Sequence, residues 1–394
     1  GPRFSQTWES ANLLTAMVNS GDYDEAIRMA QIMLRANPSS KIVNFAAAKA
    51  FVAKGQFTEA VEKLEFLNSV DPKNSDVKRL LVQAYVQTNC SAQAYTVSKE
   101  LIANQAEPKV EDILVNSKLA IEHGDLEDAK SRLAHLLEIY PQNSQALTLT
   151  GKAHYQAGDY ACAEESFIRA TEISDAEVQA WVLRSEILAR QGEGERAIEV
   201  LKQGLAANPG NHDLQRAHVM LLMAHGKLAE AYPVLRELSR EQQDHEVDVH
   251  LILAMKSLGI ADFADVIEMI STRYPDDLGI QGEYGRSLIL TGEKAKGLAV
   301  LKQVKQGMTL KPDWALAFLE ARLGVDHARI QLRPPLSAKE QTEVIELFEM
   351  ASADESTKLQ TGVLKGEFFM LAGQSKKAFD TFSDLVDLSK GDKG

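Results

Sequence analysis

Apolar residues recur every three or four positions along most of the chain, which is the period of an amphipathic helix. Around Gly55, and again around Gly158, such a stripe runs up to a glycine and a second stripe starts after it. The marked apolar positions are Ala47, Ala48, Phe51, Ala60, Leu64 and Leu67 in the first case, and Tyr155, Ala163, Phe167 and Ala170 in the second. The pattern predicts units of two helices, each of about three to four turns, joined by a tight turn.

The turn residue repeats with a period close to 34. Glycine occupies it at Gly21, Gly55, Gly124, Gly158, Gly192, Gly226, Gly259 and Gly292, and Asn89 fills the remaining place. Glycine and asparagine tolerate the left-handed conformation that ends many helices, so each is expected to stop the first helix of its unit. The spacing from Asn89 to Gly124 is 35 rather than 34.

Two further sequence features follow the turns. A small residue follows five positions later, as at Ala26, Ala60, Ala94, Ala129, Ala163, Ala197, Ala231, Ala264 and Gly297, and would let the two helices approach closely. A proline follows twelve positions after that in several units, at Pro38, Pro72, Pro141 and Pro209, where it would end the second helix.

These marks resemble the tetratricopeptide repeat. The best matches are Gly21-Asp22-Tyr23-Asp24-Glu25-Ala26, Gly55-Gln56-Phe57-Thr58-Glu59-Ala60 and Gly158-Asp159-Tyr160-Ala161-Cys162-Ala163. The resemblance covers about residues 7–310 and returns at Gly373-Gln374-Ser375-Lys376-Lys377-Ala378. It implies an all-α fold, a right-handed superhelical α-solenoid of tandem antiparallel hairpins with about nine to ten repeats.

The period divides the chain into three segments. Residues 1–310 form the expected repeat array, 311–357 a divergent helical segment, and 358–394 a terminal hairpin that frays from Ser389. Within the divergent segment we expect Asp313 to cap one helix and Ser337-Ala338-Lys339-Glu340 to form a capping box at the start of another. Arg333-Pro334-Pro335-Leu336 is expected to be extended.

The resemblance also implies where a partner would bind, since the first helices of such repeats line a concave surface that takes up peptides or protein segments. The family pattern places eight candidate residues there: Phe45, Lys49, Arg79, Gln83, Lys118, Lys152, Tyr155 and Arg216. We therefore hypothesise a locally basic, partly aromatic groove for an acidic or extended segment. The alternative is that these lysines merely solvate an exposed helix face. The Lys, Asn and Arg set of the chaperone carboxylate clamp is not found in register.

Composition excludes several classes of protein. The net charge of −13 argues against a nucleic-acid binder, and no stretch of about 20 uncharged apolar residues could span a membrane. With two cysteines, the chain is neither a disulfide scaffold nor a cysteine-rich zinc protein. Cys90 and Cys162 should lie far apart, and we interpret each as a small apolar filler.

The sequence contains no pattern typical of a catalytic or cofactor site. There is no phosphate-binding loop, nucleophile elbow or paired-histidine helix, so we expect no enzyme activity, cofactor or metal. The segment Asp244–His250 is rich in possible ligands but should serve as a helix cap, because His245 and His250 do not share one helix face. Trp8, Trp181 and Trp314 are expected to pack between helices.

The functional prediction is a non-enzymatic scaffold or adaptor that binds protein segments, with a role in bacterial cell-envelope or exopolysaccharide assembly. The alternatives are a regulatory or docking region of a larger enzyme or secretion complex, and direct glycan binding by the groove. Gly1-Pro2 resembles the remnant of a cleaved tag, so we expect the natural N-terminus to lie upstream. The compartment is left open between the periplasm or cell envelope and the cytoplasm.

Overall fold

The computed structural model describes residues 2–327, 329–331 and 336–391. Within them the chain forms 22 helices and one two-residue antiparallel strand pair, which confirms the all-α repeat prediction. The helices are α1 Pro2–Asn19, α2 Tyr23–Ala36, α3 Lys41–Ala53, α4 Phe57–Val70, α5 Ser75–Gln87, α6 Ser91–Ala103, α7 Val110–Glu122, α8 Leu126–Ile139, α9 Ser144–Gln156, α10 Tyr160–Ile173, α11 Val178–Arg190, α12 Gly194–Ala207, α13 His212–Ala224, α14 Leu228–Glu241, α15 His245–Leu258, α16 Phe263–Arg273, α17 Leu278–Leu290, α18 Lys294–Gly307, α19 Pro312–Arg322, α20 Ala338–Ala351, α21 Glu355–Leu371 and α22 Ser375–Gly391.

Every turn residue predicted from the period adopts a positive φ. The eight glycines have φ values from 63° at Gly259 to 97° at Gly292, and Asn89 takes the same conformation with φ 58°. This conformation ends the first helix of each hairpin and aims the chain back into the second. The residue five positions on is buried in every repeat but one: the alanines at this place up to Ala231 are at most 1% exposed and Gly297 is buried, whereas Ala264 is half-buried.

The helices group into two compact units. One extends to His218 and the other starts at Val219, so the division falls inside α13. In the first unit a continuous apolar core runs from Leu14 to Ala153, and a further cluster surrounds Phe167. In the second unit a core that includes Trp314 and Phe348 joins α17 to α22.

Glycines inside helices accommodate large rings from the neighbouring helix. A Cβ on Gly151 would stand 2.4 Å from the ring of Phe167, and one on Gly282 would stand 2.2 Å from the indole of Trp314. Both rings are fully buried. Each ring fills the space that a side chain at the glycine position would otherwise occupy. The predicted packing is thus confirmed for Trp181 and Trp314, but it is wrong for Trp8, whose side chain is 66% exposed.

The divergent segment contains α19, α20 and the hairpin formed by β1, Val325–Asp326, and β2, Arg329–Ile330. Ser337 and Glu340 form the predicted capping box. The expected cap at Asp313 is wrong, because Lys311 is the N-cap and Pro312 takes the first helical position, where its missing N–H costs nothing. Residues 333–335, expected to be extended, lie outside the described residues, as does the end of the tail after Gly391.

Polar contacts join several neighbouring repeats within each unit. Several join side chains about one period apart, including Arg79 to Asp112, Ser144 to Glu177 and His245 to Asp277. Arg79 donates two hydrogen bonds of 2.8 Å to the Asp112 carboxylate, whose side chain is 3% exposed. Burial alone would raise the pKa of Asp112, but the hydrogen bonds from Arg79 and Gln105 outweigh burial and hold that pKa below its usual range.

Gly151→Ala should destabilise the chain even though alanine favours helix formation by about 1 kcal/mol. The new methyl group would overlap the buried Phe167 ring, and overpacking of this kind costs about 1–3 kcal/mol. Urea denaturation followed by circular dichroism measures the effect, and hydrogen exchange of α9 and α10 localises it. In a Phe167→Leu background the same change should cost less, and a Gly151→Ala midpoint at or above wild type would contradict the contact.

Asp112→Asn should lower the free energy of unfolding near neutral pH by about 1–3 kcal/mol, since Arg79 loses a buried charged acceptor. The contribution of a carboxyl with a depressed pKa is present above its unfolded value of about 3.9 and is lost as the pH falls through the folded value. The difference from wild type should therefore vanish in acid. Asp76→Asn, which removes the exposed partner of the same arginine, is the control. A difference independent of pH would refute the pairing.

Candidate functional site

All eight predicted groove residues lie on the first helix of a hairpin. Phe45 and Lys49 are on α3, Arg79 and Gln83 on α5, Lys118 on α7, Lys152 and Tyr155 on α9, and Arg216 on α13. The helices α1, α3, α5, α7, α9 and α11 of the first unit present a common surface, which we call the first-helix face. Seven of the eight residues belong to it, and Arg216 lies half-buried on the helix in which the two units divide.

A slot of about 320 Å³ opens in the first-helix face between α5 and α7. Its floor is apolar and includes Val82, Val86, Val115 and Leu119, with Leu101 of α6 behind them. Polar and charged side chains complete the lining: Arg79, Gln83, Gln87, Ser98, Glu111, Asp112, Lys118 and Glu122. Val86 and Val115 are 40% and 42% exposed, so the slot offers apolar surface to solvent. A pocket that is mostly apolar with a few polar groups at its edge is typical of a binding site.

The slot coincides with the irregular period in the sequence. The α6–α7 loop runs from residue 104 to 109, whereas the α4–α5 and α8–α9 loops have four residues each, 71–74 and 140–143. Gln105 in the longer loop donates to the carbonyl of Leu101 and to the Asp112 carboxylate, which fixes the start of α7. We attribute the opening to this longer connection, which sets α7 apart from α5.

Two lysines lie beside the slot. Lys118 is exposed and contributes to the slot edge, and Lys152 donates a 2.8 Å hydrogen bond to Gln179. The pKa of Lys152 is lowered overall, by burial first and then by the charge of Lys118, and Glu122 opposes this change only in part. Among the described residues neither ammonium forms an ion pair, although the acidic Glu111 and Glu122 also line the slot and Glu122 acts on Lys152. Two like charges close together can attract an anion. Arg79, by contrast, is compensated by Asp112 and Asp76.

The aromatic residues at either side are held by polar neighbours. Tyr155 donates to Glu186 at 2.9 Å, and the Arg190 guanidinium stands 5.7 Å from its ring centre. Burial, followed by the interaction with Glu186, raises the pKa of Tyr155. The Lys49 ammonium lies 5.3 Å from the ring centre of Phe45, beside a shallow cavity of about 110 Å³.

The second unit has a different electrostatic character. A cleft of about 550 Å³ there is lined by Lys256, Arg286, Asp313 and Glu320, among others. Its cations are already paired, since Lys256 contacts both Glu283 and Asp313 and Arg286 lies 3.4 Å from Asp313. Burial raises the pKa of Glu320. The cations of this cleft are thus compensated, unlike Lys118 and Lys152.

Sequence reasoning identified the lysines but not the slot. Val115 and Leu119 lie outside the register positions considered for the groove, and Arg190 lies beyond them on α11. The signal that marks the slot is the spacing of 35 residues between Asn89 and Gly124, which displaces α7 by one residue relative to its neighbours.

No helix in the described part of the chain combines the length and apolarity that a bilayer crossing requires. Among solved structures, similarity extends to PilW, a widely conserved type IV pilus biogenesis factor, at 18% identity and a TM-score of 0.43, over 52% of this chain and 96% of that one. It extends also to a tetratricopeptide repeat protein from Parabacteroides merdae, at 16% identity and a TM-score of 0.44, over 71% and 97%. YrrB, a tetratricopeptide repeat protein with an unusual peptide-binding site, matches at 15% identity and a TM-score of 0.40, over 50% and 97%.

A family profile for the tetratricopeptide repeat matches residues 32–277, more than half of the chain. The match spans the region in which helix pairs, left-handed turns and buried alanines recur at the period of 34. The chain therefore belongs to the tetratricopeptide repeat family, a class of protein-interaction scaffolds.

Proposed function

We propose that the first-helix face of the first unit binds an extended partner segment that combines an apolar side chain with acidic residues. The apolar side chain would enter the slot between α5 and α7, and the acidic groups would lie against Lys118 and Lys152. The observation that carries the proposal is an open slot with an apolar floor that has Lys118 in its lining and Lys152 nearby, both without an ion pair among the described residues. Apolar burial supplies affinity, and the charge selects the orientation.

The geometry favours a peptide over a glycan. Sugar recognition uses exposed aromatic rings as stacking surfaces together with polar groups, but the aromatics here are engaged. Arg190 covers Tyr155, whose hydroxyl is bonded to Glu186, and Lys49 lies over Phe45.

The family is typically non-enzymatic, in agreement with an adaptor role. A place in cell-envelope or exopolysaccharide assembly stays a prediction from the sequence, as does attachment to a larger enzyme or secretion complex. Each of these settings would require the same recognition of a protein segment, which is the part that can be tested with the isolated chain.

Reversal of both slot-edge charges, Lys118→Glu with Lys152→Glu, should weaken binding of selected peptides about tenfold at low salt. Peptides are first selected on the wild-type chain from a random displayed library, and their affinities are then measured by fluorescence anisotropy. The difference should shrink as salt is added, because exposed charges are screened. The matched control is Lys63→Glu with Lys130→Glu on second helices. If both double variants bind the peptides as tightly as wild type, the proposed contact of acidic groups with Lys118 and Lys152 is refuted.

Val115→Gln should weaken the same peptides about tenfold at every salt concentration, because it places a polar amide in the apolar slot. Val70→Gln on α4 is a close control, since both valines are 42% exposed and neither change should alter folding much. If the two variants bind equally well, the apolar side chain does not enter the slot.

A further inference from the structure

One repeat carries a histidine where the others carry an apolar residue. The position four residues before the turn residue is apolar in the rest of the periodic array, at Met17, Phe51, Tyr85, Ala120, Leu188, Leu222, Met255 and Leu288. In the repeat that turns at Gly158 this place holds His154. An imidazole that replaces a core side chain brings polar nitrogen atoms into a largely apolar position, which calls for a compensating partner.

Two more ligand-bearing side chains meet His154 at the turn. Asp159 precedes the first residue of α10, and Cys162 lies in its first turn. A ring nitrogen of His154, a carboxylate oxygen of Asp159 and Sγ of Cys162 all lie within 4.8 Å of one another. The corresponding place of Cys162 in neighbouring repeats holds Glu25, Glu59, Gln93, Asp128 and Arg196. No other periodic repeat brings histidine and cysteine to these two positions.

Cys162 is not the apolar filler expected from the sequence. It is exposed, whereas Cys90 is half-buried, and both thiols are free. The interaction with Asp159, followed by burial, raises the pKa of the Cys162 thiol.

The imidazole of His154 faces the Asp159 carboxylate. Nδ1 of His154 is buried without a hydrogen bond, although Oδ2 of Asp159 lies 3.4 Å away. The other carboxylate oxygen, Oδ1, accepts the backbone N–H of Cys162 at 3.2 Å and so caps α10. The cap fixes the carboxylate, while Oδ2 stays directed at the imidazole and can serve as a ligand.

We propose that His154, Asp159 and Cys162 form a site for a divalent transition-metal ion of the zinc type. One nitrogen, one oxygen and one sulfur ligand suit zinc rather than magnesium or calcium, which prefer oxygen ligands. Three side chains occupy three tetrahedral positions, and the fourth would be open to water or to a ligand from a partner.

The geometry needs a small adjustment. Ligand bonds of about 2.0–2.3 Å in a tetrahedral zinc site place neighbouring ligand atoms roughly 3.3–3.8 Å apart. The distance of 3.4 Å between Nδ1 and Oδ2 already falls in this range. The exposed side chain of Cys162 can supply the rest by rotation about its χ1 bond.

Metal binding at this place would connect the end of α9 directly to the start of α10. Because the unfolded chain does not hold the three ligands together, the ion would stabilise the hairpin by mass action. Affinity should rise with pH, because the metal requires a deprotonated thiol and a neutral imidazole.

The test uses the full chain, reduced and freed of metal with a chelator. Zinc titrated by calorimetry should bind with one-to-one stoichiometry, and cobalt should give a thiolate-to-metal charge-transfer band with the visible bands of a tetrahedral site. Cys162→Ser should abolish the charge-transfer band, whereas Cys90→Ser, the matched control, should retain it. A band that is absent in wild type, or that Cys90→Ser removes, would overturn the proposal.

Two further variants separate ligand loss from misfolding. His154→Leu introduces the residue that the next repeat has at Leu188, and Asp159→Asn keeps a good N-cap while it removes the carboxylate. Each should retain the helical circular dichroism of wild type and bind zinc at least about tenfold more weakly. Unchanged zinc affinity in both variants would refute the site.

Discussion

The structure depends on the close approach of the two helices within each hairpin. A left-handed turn residue reverses the chain, and five positions later, in the repeats up to Ala231, an alanine without exposed surface lets the helix backbones meet. Neither helix can cover its apolar stripe alone, so each hairpin must also pack against its neighbours. The first-helix face is the part of the first helices that stays exposed after this packing, so its side chains are free to vary without loss of the core.

The sequence was sufficient to predict the turns and a capping box, because these depend on local chemistry. Asn89 could be placed in a left-handed turn from its register alone, and Ser337 with Glu340 could be identified as a capping box. Asp313 was misplaced because the preceding Pro312 fits the first helical position, which leaves the carboxylate free to pair with Lys256 and Arg286.

The candidate sites were harder to predict, because they depend on distances between repeats. The register placed Lys118 and Lys152 on one face, but it could not show that Arg79 is compensated by a buried Asp112. It also treated Cys162 as an isolated small residue, since His154 is eight residues away in sequence and on another helix. Only the turn at Gly158 brings these side chains together.

The longer connection before α7 shows how a periodic protein can acquire a distinctive surface. An array of identical hairpins presents the same surface at every repeat, so no single repeat offers a partner a distinctive binding site. A single added residue breaks that translational symmetry at one joint and leaves the folding rules of every hairpin intact. A distinctive surface in such a chain can therefore arise from a change in repeat length, without any change to the residues that stabilise the hairpins.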